Sequence, residues 1–186
     1  LSPAGLEALR ELASAQPEWK SVGAWDVSDQ GWSNRLYIGA STQNELISPP
    51  LSLPRLRSPQ LTLQERHDLR VDGNLATIEV AEEGPKQEWT SLLELKGTSS
   101  ELQDVQLDLS RYADKTVRLR FAVKPKAWNQ DGPGEALSIR HLKLQGETAW
   151  GRVSTPLGSS GELWDEALEG LSNLPEGKRE EALQAL

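Results

Sequence analysis

The sequence predicts an all-β protein, an antiparallel β-sandwich with short N- and C-terminal helices. Three observations predict it. Between Trp19 and Gly146, short segments alternate apolar and polar residues at period two, turn-forming clusters separate them, and no helical pattern interrupts the series. Strands that follow one another without crossover helices pair antiparallel, and about eight to ten of them imply two packed sheets.

The elements follow in chain order. Ser2-Pro3 supplies a cap and a proline at the first helical position, and Leu6, Leu9 and Leu12 line one face until Gln16-Pro17 ends the run. Residues 1–18 are therefore expected to form a helix packed on the sandwich, and residues 19–150 to form the sandwich itself. Its strand segments are Val22-Gly-Ala-Trp-Asp-Val-Ser28, Asn44-Glu-Leu-Ile-Ser-Pro49, Ser58-Pro-Gln-Leu-Thr-Leu63, Ala76-Thr-Ile-Glu-Val80, Val105-Gln-Leu-Asp-Leu109, Val117-Arg-Leu-Arg-Phe121 and Leu137-Ser-Ile-Arg-His-Leu-Lys-Leu144. In the last, the phase changes at Arg140-His141, which predicts a bulge. Turn chemistry falls at Asp72-Gly-Asn74, Glu83-Gly-Pro85, Lys96-Gly97 and Asn129-Gln-Asp-Gly-Pro-Gly134. Prolines 49, 50, 54 and 59 cannot donate to a ladder, so their segments are expected at sheet edges or between sheets. At the far end Ser159 and Glu162 stand at capping-box spacing before the stripe Leu163, Trp164, Ala167, Leu168 and Leu171. Residues 151–186 are thus expected to be a linker and a helical segment. Its narrow leucine face, the aligned Leu183 and Leu186 and the non-Met start at Leu1 suggest a piece of a larger protein.

Composition narrows the function. The chain has 186 residues, 37% hydrophobic and 26% charged. Length and balance suit one main domain, and no apolar run approaches the ~20 residues of a membrane helix. Twenty basic against 28 acidic residues give a net charge of −8, which repels polyphosphate and disfavours nucleic acid as a partner. Without cysteine there are neither disulfides nor thiolate metal sites.

Catalytic signatures are sparse. The two histidines, His67 and His141, fall in strand-like segments without zinc-ligand spacing, which points to surface or interstrand roles. Gly158-Ser-Ser-Gly161 lacks the spacing of a nucleophile elbow and reads as a cap and linker. Gly177-Lys178 has no glycine upstream to complete a phosphate-binding loop. Carboxylates on one sheet would make a carbohydrate-active hydrolase, with Glu79, Glu82 and Glu83 as the group to consider, although Glu79 between Ile78 and Val80 is expected to face solvent. For a metal, Asn129, Asp131 and Glu135 surround Gly132-Pro-Gly134, a set of hard oxygen donors on a tight turn that suits calcium, with Asp26 and Asp29 a weaker pair.

Seven tryptophans against one phenylalanine set the binding question. Indole rings stack on sugar faces as well as filling cores. Trp32 and Trp128 lie beside turns and are the candidate ligand-binding residues. The competing reading makes Trp25 and Trp89 core anchors and has Trp19, Trp150 and Trp164 seal the terminal helices to the sandwich.

The order of motifs supports a resemblance. A tryptophan, then Gly-Ala-Trp-Asp-Val-Ser, Leu-Ile-Ser-Pro, a strand before a lone tryptophan, and Leu107-Asp-Leu-Ser-Arg-Tyr-Ala-Asp114 followed by Val117-Arg-Leu-Arg-Phe121 resembles the bacterial jelly-roll modules of the choice-of-anchor J and MAM-like group. The likeness covers about residues 19–146. Two departures stand out: Glu82-Glu-Gly-Pro-Lys-Gln-Glu88 replaces the group's usual turn, and Ile139-Arg-His-Leu142 replaces its Ile-Asp-Asp-Val-like run. The resemblance implies an antiparallel jelly-roll β-sandwich on an extracellular or bacterial cell-surface protein. Its role would be non-catalytic: binding carbohydrate or a protein partner, or acting as a structural spacer for other domains of the same polypeptide.

Overall fold

A computed structural model describes residues 19–28, 31–36, 43–53, 56–126, 134–148 and 151–157. The helices expected within 1–18 and after residue 158 lie outside the described residues. The first sheet runs β1 (Lys20–Val22), β4 (Asn44–Ile47), β11 (Thr116–Lys124), β7 (Leu75–Glu82) and β8 (Thr90–Leu95), with β5 (Leu51–Ser52) also on β11. The second runs β10 (Gln103–Asp108), β6 (Arg57–Leu69), β12 (Gly134–Thr148), β3 (Gly31–Leu36) and β2 (Trp25–Ser28), with β13 (Gly151–Pro156) on β12 and β9 (Gly97–Thr98) on β6.

The pairings are nested. β7 pairs β8, β6 pairs β10, β4 pairs β11 and β3 pairs β12, all antiparallel. Each pair encloses the one before it, so the chain is one long double strand rolled across two sheets, which is a jelly roll.

Period two in the sequence becomes two faces in space. Along β6, Pro59, Leu61, Leu63, Glu65, His67 and Leu69 are buried while the residues between them are not. On β11, Val117, Leu119, Phe121 and Val123 are buried inward. They join Leu46 and Ile78 of the first sheet against Leu61, Leu137, Ile139 and Leu142 of the second. Each such side chain contributes roughly 1.5–3 kcal/mol by leaving water, so this layer drives folding. Trp19 bridges the sheets: its ring lies 4.8 Å from Trp32 and 5.9 Å from Phe121, and its Nε1 donates to the Leu157 carbonyl at 2.9 Å.

The bulge read from the phase change is present. Register shifts between Arg140 and Lys143, and His141 has φ 49°. The extra residue lets Ile139 and Leu142 both face the core. Beside it β3 approaches closely: Gly31 has φ 139°, and a Cβ there would stand 2.0 Å from the Ile139 carbonyl oxygen, so only glycine fits.

Two expectations change. Pro59 lies in β6, a strand paired on both sides, and not at an edge; it is tolerated because β12 shifts register between Gln145 and Glu147 beside it, which interrupts the ladder. Residues 151–156 are strand and not linker: Gly151, at φ 127°, follows the reversal that returns β13 along β12 from Thr148↔Gly151 to Lys143↔Pro156. The sandwich therefore extends past the boundary set at residue 150.

Candidate functional site

The outer face of the first sheet concentrates the polar chemistry of the described residues. Alternation on β11 turns Arg118, Arg120 and Lys124 away from the core, and register sets Arg120 directly opposite Glu79 of β7. Arg120 Nε and Nη2 each lie 2.5 Å from Glu79 Oε2, and Nη1 lies 3.2 Å from Glu45 Oε1. Lys124 Nζ and Thr77 Oγ1 both donate to Glu79 Oε1 at 2.9 Å. The Arg120 guanidinium carbon sits 4.3 Å from the centre of the Trp89 ring, a cation–π contact that fixes a half-buried indole on this surface. Two residues earlier on β11, Arg118 reaches Glu83 at 2.5 and 3.1 Å and the Ser48 carbonyl at 3.3 Å.

Glu79 is the hub. It is only 5% exposed although it faces outward, because the long side chains of Arg120 and Lys124 engage it from two sides. Burial pushes its carboxyl pKa up, but hydrogen bonds from Lys124, Thr77 and Arg120 and the Arg120 charge outweigh burial and hold it below the ordinary range. It is therefore a fixed anion. A glycosidase acid must keep its proton near neutrality, and Glu79 is held in the opposite state. Glu79 therefore does not suit proton donation.

The sequence-predicted residues fall in several places. Trp32 is a correction: at 4% exposure, packed on Trp19 in the core, it offers no face to a sugar. The turn beside it misled, because inward alternation along β3 decides its direction. Trp128, Asn129 and Asp131 lie outside the described residues, as do Asp29, Trp150 and Trp164. Glu135 is the second residue of β12, where it pairs with Arg66 on the outer face of the second sheet. Asp26 pairs with Arg35 at 2.6 Å. Glu82 and Glu83 pair with Lys115 and Arg118. Among the described residues no cluster of three or more His, Asp or Glu side chains is placed to hold a metal.

Two further corrections concern the polar side chains. Glu79 does not face solvent, since cross-strand cations enclose it. Trp89 is no core anchor; it rests under Arg120 outside the sheet. Trp25 does pack against the core. His67 makes the interstrand contact expected of it, and His141 is exposed at the bulge.

No protein-family model matches the chain, and no curated protein sequence matches it. Among solved structures, the chain is similar to the K1 cleaved adhesin domain of Lys-gingipain from Porphyromonas gingivalis W83, at 16% identity and a TM-score of 0.44, over 69% of this chain and 90% of that one. It is similar to TmCBM61, solved in complex with β-1,4-galactotriose, at 13% identity and a TM-score of 0.44, over 79% of this chain and 97% of that one. A chain of the infectious bursal disease virus Gx strain follows at 9% identity and a TM-score of 0.38, over 67% of this chain and 31% of that one. The architecture stated above rests on strand pairing, not on these likenesses.

Proposed function

We propose that this jelly roll is a non-catalytic binding module of a larger exported or cell-surface bacterial protein, and that its ligand surface is the outer face of the first sheet. The observation that carries this reading is the Arg120-held indole of Trp89 beside a hydrogen-bonded field of Glu45, Glu79, Thr77 and Lys124. A pre-ordered ring next to fixed donors and acceptors loses little entropy on binding, and carbohydrate combines an apolar ring face with hydroxyls that such a surface matches. Kinship with the choice-of-anchor J and MAM-like group is part of this proposal and is supported by the order of motifs.

A glycan array probed with the wild-type protein and with Trp89→Ala tests it. Signal with the wild type that is lost in a folded Trp89→Ala protein supports the surface. A blank array with folded wild-type protein overturns the carbohydrate reading. A second reading, a protein partner, is favoured by Val22 and Val27, which are 44% and 62% exposed on neighbouring edge strands of the two sheets. Calcium at Asn129, Asp131 and Glu135 is also proposed. Because Arg66 holds Glu135, the ion must displace that guanidinium, and calcium titration of thermal stability reads the outcome.

A further inference from the structure

The free sheet edges of this fold are blunted, with one exception. β1 and β2 have three and four residues, β5 and β9 have two each, β8 shifts register against β7, and β13 holds Arg152 and ends at Pro156. Short length, bulges, cations and proline all keep an edge from pairing with another chain. β10 has none of them. Its six residues, Gln103–Asp108, pair with β6 in unbroken register, and no strand follows beyond it among the described residues.

One hydrogen bond fixes which backbone groups of β10 are free. The Leu109 N–H donates to the Pro59 carbonyl at 2.8 Å, which continues the register one step past Asp108↔Gln60. The N–H and C=O of successive strand residues face opposite neighbours, so Leu107, Val105 and Gln103 turn theirs to β6. Asp108, Gln106 and Asp104 turn theirs to the open edge.

The side chains define what this edge can accept. Asp104, Gln106 and Asp108 are exposed on the outer face of the second sheet, opposite Gln64, Thr62 and Gln60, while Val105 and Leu107 are half-buried against the core. Hydrogen bonds from the Ser110 side chain and N–H hold the Asp108 carboxyl below the ordinary range, so its charge is present at neutral pH. A second copy is a poor occupant. Antiparallel pairing of β10 with β10 through all three free residues centres on Gln106 and sets Asp104 against Asp108, between chains that each carry a net charge of −8.

We propose that β10 takes an extended segment of a basic protein partner as an added antiparallel strand. Cations of that segment lie opposite Asp104 and Asp108, a polar residue lies opposite Gln106, and apolar residues cover Val105 and Leu107. Main-chain bonds to the three free residues supply the grip, and the alternation of cationic and apolar side chains supplies the choice. Exposed Leu102 extends the apolar side. This edge belongs to the second sheet, so its occupancy is independent of the outer face of the first.

The probe is the peptide acetyl-Ser-Lys-Val-Thr-Val-Lys-Ser-amide, which carries that pattern, and the readout is the amide shifts of the folded protein at low ionic strength. Perturbations centred on Asp104, Gln106 and Asp108 are expected, weakening as salt is added and absent with the peptide whose lysines are replaced by glutamate. Gln106→Pro removes the central free N–H at an edge position that proline tolerates, and is expected to weaken binding about tenfold. No perturbation in the wild type, perturbation centred elsewhere, equal binding of the two peptides, or unweakened binding to a folded Gln106→Pro protein each overturns the proposal. Should that variant not fold, the lysine peptide N-methylated at its threonine and both lysines takes its place. Those are the donors that face β10 in the proposed pairing, and binding that survives their removal refutes it.

Discussion

Glu79 is a carboxylate that burial works to neutralise and that three donors keep charged. Removing it strands Arg120 beside a single remaining acid, Glu45, and takes Glu79 from Lys124, which pairs with it across the sheet. Because the Arg120 and Glu79 side chains are 17% and 7% exposed, Glu79→Ala is expected to destabilise the fold by about 3–5 kcal/mol, read by urea unfolding. The pH dependence has a definite sign. A carboxyl whose folded pKa is lowered contributes stability above its ordinary value of 4.5, and that contribution is lost as pH falls through the lowered folded value. Acid unfolding of Glu79→Gln is therefore expected to show a shallower pH dependence than the wild type between 4.5 and the lowered folded value. At Gly31, any added Cβ meets the Ile139 carbonyl at 2.0 Å, and Gly31→Ala is expected to cost more than Phe121→Ala, itself worth about 3–5 kcal/mol; thermal melts of the two variants check the order.

At the scale of elements, the bulge in β12 is the feature that the sequence made plain and the structure explains. Leu137, Ile139, Leu142 and Leu144 cannot share a face at strict period two, and the two outward residues Arg140 and His141 absorb the difference. His141 takes a left-handed conformation that costs a non-glycine residue roughly 1 kcal/mol, so His141→Gly is expected to raise the melting temperature or leave it unchanged. A clear fall would mean that the imidazole makes a contact of its own. Strand content and the bulge were legible because each depends on local alternation. The directions of Glu79, Trp89 and Trp32 were not. They depend on which strand lies opposite, and the Arg120 to Glu79 pairing joins residues 41 apart, a separation that no local period encodes. Pro59 likewise looked like an edge residue because the bulge that accommodates it belongs to a different strand.

Across the whole molecule, the two outer faces differ. The first sheet carries an interlocked set of cations and carboxylates around a fixed indole. The second carries amide pairs and a separate ion pair, with Gln64 donating to Asp104 at 2.9 Å, Gln106 to Gln60 at 2.5 Å and Arg66 paired with Glu135, and no tryptophan, tyrosine or phenylalanine among the described outward residues of β6, β10 and β12. The rolled double strand holds both faces rigid, because each outer residue is the neighbour of a core residue on the same strand. This difference supports the first sheet as the proposed ligand surface. The most direct measurement is amide chemical-shift mapping of the folded protein with a glycan that it retains on the array. Perturbations confined to β4, β7, β11 and the Trp89 indole are the predicted result. Perturbations centred on β6, β10 and β12, with the Trp89 indole unmoved, contradict the assignment.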